Sequence, residues 1–560
     1  MTNGSSYSTV WSFMPVLVEE TELSQAEASL AQIAPRFDNE RLPEAKTFNP
    51  WVVALVVTIG TFMEVLDTSI ANVALPHISG SLSASQDEGA WVLTSYLVAN
   101  AIVLPISGWL SSLLGRKNFY LLSVFFFTVF SAACGLAPTL AMLILFRVAQ
   151  GLAGGGLQPS VQAILADTFS PQKRGMAMAL YTVAILVAPV LGPTLGGWIT
   201  DNYSWRWIFY INIPVGILCV FLTRIVLEDP PYMKEAKAKA RKVAVDWGGL
   251  GFISIGLATL EIVLDKGQEL DWFGSPFIVL FASISVIALT AAVLWELNTK
   301  NPVVNLRLLK ERNFTVCCLI ILGLYAVLYA TTYLLPTFMQ QMMGYDATTA
   351  GLALSPAGIF TMIEVPFVGY ILTKGYDPRK MVFCGILIIA SACWWMGSMN
   401  LDVAERNFII PRIVQVMGLG LITVPVSTIV FRFIPKTESS QGAGLYALVR
   451  NEGGSIGIAF VSTMLQRRSQ AFQTVLGQHL GASDAPVQQA VAQMSAVAGN
   501  HADMHYRAMA ELYQKLQQQA ALLAYMDQFK MLCIIMACML PLVFFLKRPP
   551  AQKHVELEAH

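Results

Sequence analysis

Two carboxylates three residues apart, Glu64 and Asp67, interrupt the apolar run WVVALVVTIGTFMEVLDTSIANVALP at residues 51–76. A bilayer-spanning helix needs about 20 mostly apolar residues, so this run is long enough to cross. An ionisable group at membrane depth costs several kcal/mol. It faces a protein interior or a wet cavity, and by default it marks a functional site. At a spacing of three, the two acids share a helix face. The chemistry they offer is a change of charge by proton uptake and release; the bland alternative is a hydrogen-bonded pair that locks helix packing. A third acid, Glu364, lies in GIFTMIEVPFVGYIL beside Pro366. Two arginines sit at comparable depth: Arg147 in LILFRVAQGLAGGGLQP, and Arg412 early in a later apolar segment. An unpaired arginine there is equally costly, so Arg147 should meet a carboxylate, backbone carbonyls or water.

Positioning these groups takes a helical frame embedded in a membrane. Of 560 residues, 55% are hydrophobic and 13% charged, where soluble domains average about 25% charged. Blocks of span length recur six times between residues 51 and 227, twice between 247 and 295, and six times between 313 and 546. The fold class is an all-α polytopic membrane protein with 14 spans ordered six, two, six. Charged linkers, LEDPPYMKEAKAKARKVAVD and ELNTKNPVVNLRLLKERNF, flank the middle pair. One set of six alternating loops holds 18 Lys or Arg, and the six short loops opposite hold two, Lys266 and Arg406. The rich side is therefore expected to be cytoplasmic, with both termini inside. Residues 1–50 read as a polar cytoplasmic tail rather than a signal peptide, and 547–560 as a second tail. The outer loop 469–528 contains AMAELYQKLQQQAALLAYMDQ, which reads as a helix, either a solvated cap or a docking surface for an external partner.

Other functions are disfavoured. Formal net charge is zero, so no basic field points to nucleic acid. The eight cysteines lie in apolar blocks and suggest neither disulfides nor zinc. No GxxxxGK[ST] is present, GGSIG at 453–457 lacks a preceding strand, and His501 and His505 lack the glutamate of a metalloprotease helix. No cofactor, metal or catalytic constellation is expected. Glu261 and Asp265 near the outer end of the seventh span are expected to snorkel to the interface. Trp205, Trp207 and Trp272 fall at span ends and suit the interfacial belt. Arg450 and Glu452 read as packing or gating charges.

The segment AILVAPVLGPTLGGWI, residues 184–199, gathers Pro189, Gly192, Pro193, Gly196 and Gly197 into one span. Missing donors and small faces suit a kinked helix at a moving interface. GPTLGG resembles motif C of antiporters in the major facilitator superfamily. FMEVLDTSIANVALP resembles the first-helix motif of the fourteen-spanning drug:proton antiporters, with Asp67, Asn72, Leu75 and Pro76 in register. LILFRVAQGLAGGGLQP resembles motif B, in which Arg147 is the membrane arginine. WRWIFYINIPVG, QMMGYDATTAGLALSPAG and LYALVRNEGGSIGIA are similar to segments of the same group. The resemblance runs from about residue 50 onward and is nearest the EmrB/QacA type, in particular its Gram-negative EmrB-like members. The loop GWLSSLLGRKNFY keeps the family's Gly108, Gly115, Arg116 and Lys117, but holds Ser112 where the family usually has an acid that helps lock one conformation.

The resemblance implies a major facilitator fold: bundles at 51–227 and 313–546, the latter including the long periplasmic loop, and a linker at 228–312 carrying two additional spans. It implies a transporter, not an enzyme, that exports amphipathic drugs across the inner membrane at the expense of a proton gradient and without a cofactor. Its partners would be small-molecule drugs, the lipid bilayer, a periplasmic membrane-fusion adaptor and an outer-membrane channel. Asp67, Arg147 and Glu64 are assigned to proton coupling, and Glu64, Glu364 and Arg412 to the substrate cavity. Gly192, Pro193, Gly196, Gly197, Gly108, Gly115 and Arg116 are assigned to conformational change. An uptake carrier for a metabolite or siderophore is the alternative, opposed by motif C.

Overall fold

Long apolar runs punctuated by glycine, proline and charged loops fold into helices, and every regular element among the described residues is helical. The structure, a computed structural model, describes residues 48–547 except 171–172, 230–245, 301, 346, 400–405, 436–437, 479–487 and 490–502. The first half comprises α1 Pro50–Ser81, α2 Gln86–Leu114, α3 Arg116–Leu136, α4 Leu140–Gly154, α5 Leu157–Thr168, α6 Arg174–Asn202, α7 Trp207–Tyr210 and α8 Asn212–Val226. The additional pair is α9 Trp247–Lys266 and α10 Pro276–Asn298. The second half comprises α11 Arg312–Met343, α12 Ala347–Thr373, α13 Pro378–Met396, α14 Arg406–Val430, α15 Ser439–Gly477, α16 Asp503–Cys538 and α17 Leu540–Phe544.

Helices α4 and α5 form one broken span, α7 with α8 another, and α16 with α17 a third. Among the described residues twelve spans are long and apolar enough to cross a membrane, or 13 when the two arms of the bent α6 are joined. Helix α15 completes the fourteen. Its Arg450 and Glu452 make it less apolar, and neighbouring helices bury both. The halves meet chiefly where α2 packs on α15 and α6 on α12, with α5 also touching α15 and α6 touching α14. Helix α9 packs on α2 and α15, and α10 packs on α9. Apolar side chains such as Val286, Ile287, Ile217 and Phe221 point outward, as a lipid-facing surface requires.

Lipid tails are as apolar as leucine, so helices associate through close packing and hydrogen bonds rather than through the hydrophobic effect. Small residues therefore set the closest approaches. In the run GLAGGG, a Cβ on Gly151 would stand 2.5 Å from the Tyr96 carbonyl oxygen, and one on Gly155 2.6 Å from that of Asn100. This glycine face lets α4 lie against α2. Gly453 and Gly457, within the GGSIG segment, seat α15 against the backbone of α11 at Leu322 and Ala326. GGSIG is thus a helix-packing device.

Gly457→Val should force α15 away from α11 and lower stability in detergent by about 1–3 kcal/mol. Gly251→Ala, at a site with nothing within 4 Å, should leave thermal unfolding unchanged. Equal melting of both variants would refute the close-packing account.

Candidate functional site

A buried ion pair joins α1 to α4. Arg147 Nη1 donates to Asp67 Oδ2 at 2.6 Å, and both side chains are buried. Asp67 Oδ1 accepts from Gln150 Nε2 at 3.0 Å and from Asn212 Nδ2 at 2.6 Å. The i,i+3 spacing in RVAQ places Arg147 and Gln150 on one face of α4. Arg147 Nε donates to the Val92 carbonyl at 3.1 Å, and its guanidinium lies 4.2 Å from the centre of the Tyr96 ring. Asn212 also donates to Ser131 at 3.0 Å. One carboxylate therefore gathers α1, α2, α3, α4 and α8. Gln150 and Asn212 escaped the sequence reading of this site, although both lie inside segments quoted for the family resemblance.

Glu64, one turn earlier on α1, belongs to a different network. Its Oε1 accepts from Asn100 Nδ2 of α2 at 3.0 Å and from Gln158 Nε2 of α5 at 3.1 Å. Its Oε2 is buried without a hydrogen-bond partner. The amide oxygen of Gln158 accepts from Arg450 of α15. Arg450 Nη1 donates to the Tyr181 hydroxyl of α6 at 3.0 Å, and its guanidinium sits 5.6 Å from the centre of the Tyr325 ring of α11. A relay from Glu64 through Gln158 to Arg450 thus crosses from one half to the other. The sequence reading took Arg450 as a packing or gating charge and did not place it opposite Glu64.

Glu364 stands apart from both networks. Its carboxyl group rests on Gly420 of α14, where a Cβ would overlap it, and neither oxygen has a hydrogen-bond partner among the described residues. Arg412 bonds Thr331, Thr332 and Gln415 within the second half. Glu261 departs from expectation. It is 1% exposed rather than snorkelled, because α9 turns that face toward α15, whose Ser455 hydroxyl donates to its Oε1 at 2.7 Å. Asp265 stays exposed and accepts from Thr94 of α2. Trp205 is likewise buried, against Phe209, while Trp207 is exposed. His501 lies outside the described residues, and so does the side chain of His505.

At one end of the bundle Arg116 clamps the halves together. Gly115, at φ 87°, links α2 to α3 and delivers Arg116 to the interface. Arg116 Nε and Nη2 donate to the hydroxyls of Ser440 and Ser439, each at 2.9 Å, and Nη1 pairs with Asp167 and the Ala163 carbonyl. Ser112 bonds its own helix, at the Trp109 carbonyl. The acid that pairs with Arg116 is Asp167 of α5. Gly108 lies against the backbone of Gln441, 2.5 Å from where a Cβ would stand.

Helix α6 bends by 43° between Arg174–Pro189 and Thr194–Asn202. Pro193 has no N–H to offer the carbonyl of Pro189, four residues earlier. Ser69 of α1 donates its hydroxyl to that carbonyl at 3.1 Å instead. Gly192 and Gly196 admit Ser69 and Ile70 to the same contact, while Gly197 faces open space. An apolar pocket of about 210 Å³ opens beside this bend, lined by Leu55, Ile59, Phe62, Val187 and, from the second half, Met362.

Removing one partner of a buried pair strands the other charge. Arg147→Met should cost about 3–5 kcal/mol. The double variant Asp67→Leu/Arg147→Met should recover most of that loss in thermal unfolding. A double variant as unstable as the single would show that the pair does not carry the cost.

Comparison with known proteins agrees with this architecture. Residues 57–458 match the Major Facilitator Superfamily. The chain is 35% identical over 501 residues to multidrug export protein EmrB of Escherichia coli (strain K12), covering 89% of this chain and 95% of that protein. It is 35% identical over 443 residues to fatty acid resistance protein FarB of Neisseria gonorrhoeae, covering 79% and 86%. The proton:xylose symporter XylE shares the fold at a TM-score of 0.54 and 12% identity, covering 88% of this chain and 96% of that one. The chain is a multi-pass transporter rather than an enzyme, and it belongs to the Major Facilitator Superfamily, in the branch of the EmrB-type export proteins.

Proposed function

We propose that this protein is a proton-coupled exporter of amphipathic toxic compounds, working by alternating access as the inner-membrane part of a tripartite pump. The export reading draws on the EmrB relatives. The observation that carries coupling is the pair of acids on α1, one tied to Arg147 and the other to Arg450 across the halves. The proton gradient is the energy source, and no cofactor is invoked.

Lysine and arginine placement makes the Arg116 end cytoplasmic, with both termini inside. The Arg116 clamp then represents closure toward the cytoplasm. A proton arriving from outside neutralises Glu64, loosens its hold on Gln158, and frees Arg450 to release the first half. Neutralising Asp67 removes the counter-charge of Arg147 and lets α1 shift against α4. The bend of α6, held by Ser69, is the hinge that follows α1. Proton loss on the cytoplasmic side restores both networks. Glu364 and the apolar pocket contribute substrate contacts, with Met362 as an adaptable wall.

Docking of a periplasmic adaptor is supported by helix length. Helix α15 has 39 residues, about 58 Å at 1.5 Å per residue, against a hydrocarbon core of about 30 Å. Helix α16 has 36, and Arg468 of α15 pairs with Asp527 of α16 at 3.8 Å. Most of the expected loop 469–528 is thus an extension of the last two long helices.

In proteoliposomes with an imposed pH gradient, an amphipathic dye should move with the gradient, and Asp67→Asn should reduce that flux to the level of empty vesicles. Flux that persists after the gradient is collapsed sinks proton coupling, and inward dye flux would make the protein an uptake carrier. Arg116→Gln should raise the labelling rate of Ser107→Cys by an impermeant maleimide from the cytoplasmic side about tenfold, the weight of a charge-assisted bond. An unchanged rate contradicts the clamp. Replacing 479–502 with a short Gly/Ser linker should abolish cellular resistance while vesicle transport persists; surviving resistance rules out docking there.

A further inference from the structure

The second half repeats the charge node of the first without its acid. Arg147-Val-Ala-Gln150 on α4 has a counterpart in Arg412-Ile-Val-Gln415 on α14, and each stands on the fourth span of its half. Asp67 lies on the first span of one half and Thr331 on the first span of the other. In the first half Arg147 donates to Asp67 and Gln150, and the Gln150 amide donates to Asp67. In the second, Arg412 Nη1 donates to Thr331 Oγ1 at 2.9 Å and to Gln415 Oε1 at 2.6 Å, while Gln415 Nε2 donates to Thr331 at 2.9 Å. A neutral hydroxyl stands where the carboxylate stands in the first half. Among the described residues no acid forms an ion pair with Arg412.

This guanidinium is also reachable. Its Nη2 donates to Thr332 at 2.8 Å, and Thr332 is exposed. Tyr329 and Tyr333, on the same face of α11, are exposed as well. The Tyr329 ring lies 6.0 Å from that of Tyr325, whose ring centre is 5.6 Å from the Arg450 guanidinium, so this face adjoins the inter-half relay. An arginine at membrane depth with only neutral partners keeps an unbalanced positive charge, and a planar fork of N–H donors fits a carboxylate. The flanking tyrosine rings offer an apolar surface to whatever the carboxylate is attached to.

We propose that Arg412, with Thr331, Thr332 and Gln415, forms an anion site that takes the ionised carboxylate of an amphipathic organic acid. This rests on the export reading for the route by which such an acid crosses. The test uses the purified full chain and equilibrium binding of dodecanoate and its neutral methyl ester at neutral pH. The wild type should prefer dodecanoate by about tenfold or more, the worth of a charge-assisted hydrogen bond. Arg412→Gln should collapse that ratio toward one. Thr331→Asp, which supplies the missing internal acid and keeps Arg412 paired, should collapse it too, and it decides the matter if Arg412→Gln does not fold. No preference in the wild type, or a preference that survives in a folded variant, overturns the site. Loss of gradient-driven flux with the binding preference intact would instead count against coupled export and leave the anion site standing.

Discussion

Asp67 and Arg147 form a buried ion pair 2.6 Å apart, and the first half is arranged around it. Taking either ion out of water costs several kcal/mol, repaid only when geometry and further hydrogen bonds are good. The repayment draws Gln150, Asn212, the Val92 carbonyl and the Tyr96 ring to one point. Those groups come from helices that must stay in fixed register for the carboxylate to remain charged. A change of protonation there is felt by several helices at once, which is what a coupling site requires.

The same reasoning explains why the halves are joined by charges. Arg450 reaches Gln158 and Tyr181 near the centre of the interface, and Arg116 reaches Ser439 and Ser440 at one end. In each case a guanidinium from one half is bonded to neutral groups of the other. Such contacts are strong enough to hold a state, yet they bury no fixed acid across the interface that would resist separation. Each arginine's own half completes its surroundings: Asp167 for Arg116, and the Tyr325 ring for Arg450.

Close backbone contacts supply the rest of the cohesion. Gly151 and Gly155 set the distance between α4 and α2, and Gly453 and Gly457 that between α15 and α11. At the bend of α6 the need is different, since proline removes a backbone donor and Ser69 replaces it from another helix. The bend thereby becomes a property of the α1–α6 pair.

Much of this was legible in the sequence. Span count, the six-two-six order and the identity of the charged residues at depth follow from apolar runs and their interruptions, because the bilayer imposes one length on every helix. The spacing of Glu64 and Asp67 predicted a shared face, and both are buried. Their separation into two networks was not legible, since the partners lie 80 residues away at Arg147 and 94 at Gln158. Periodicity reports which face of a helix is polar, but not which helix will pack on it. For the same reason Glu261, expected to snorkel to the interface, lies inside, and Trp205, expected in the interfacial belt, is buried against Phe209. The sequence determined where charge must be buried; only the tertiary packing decided what each buried charge would meet.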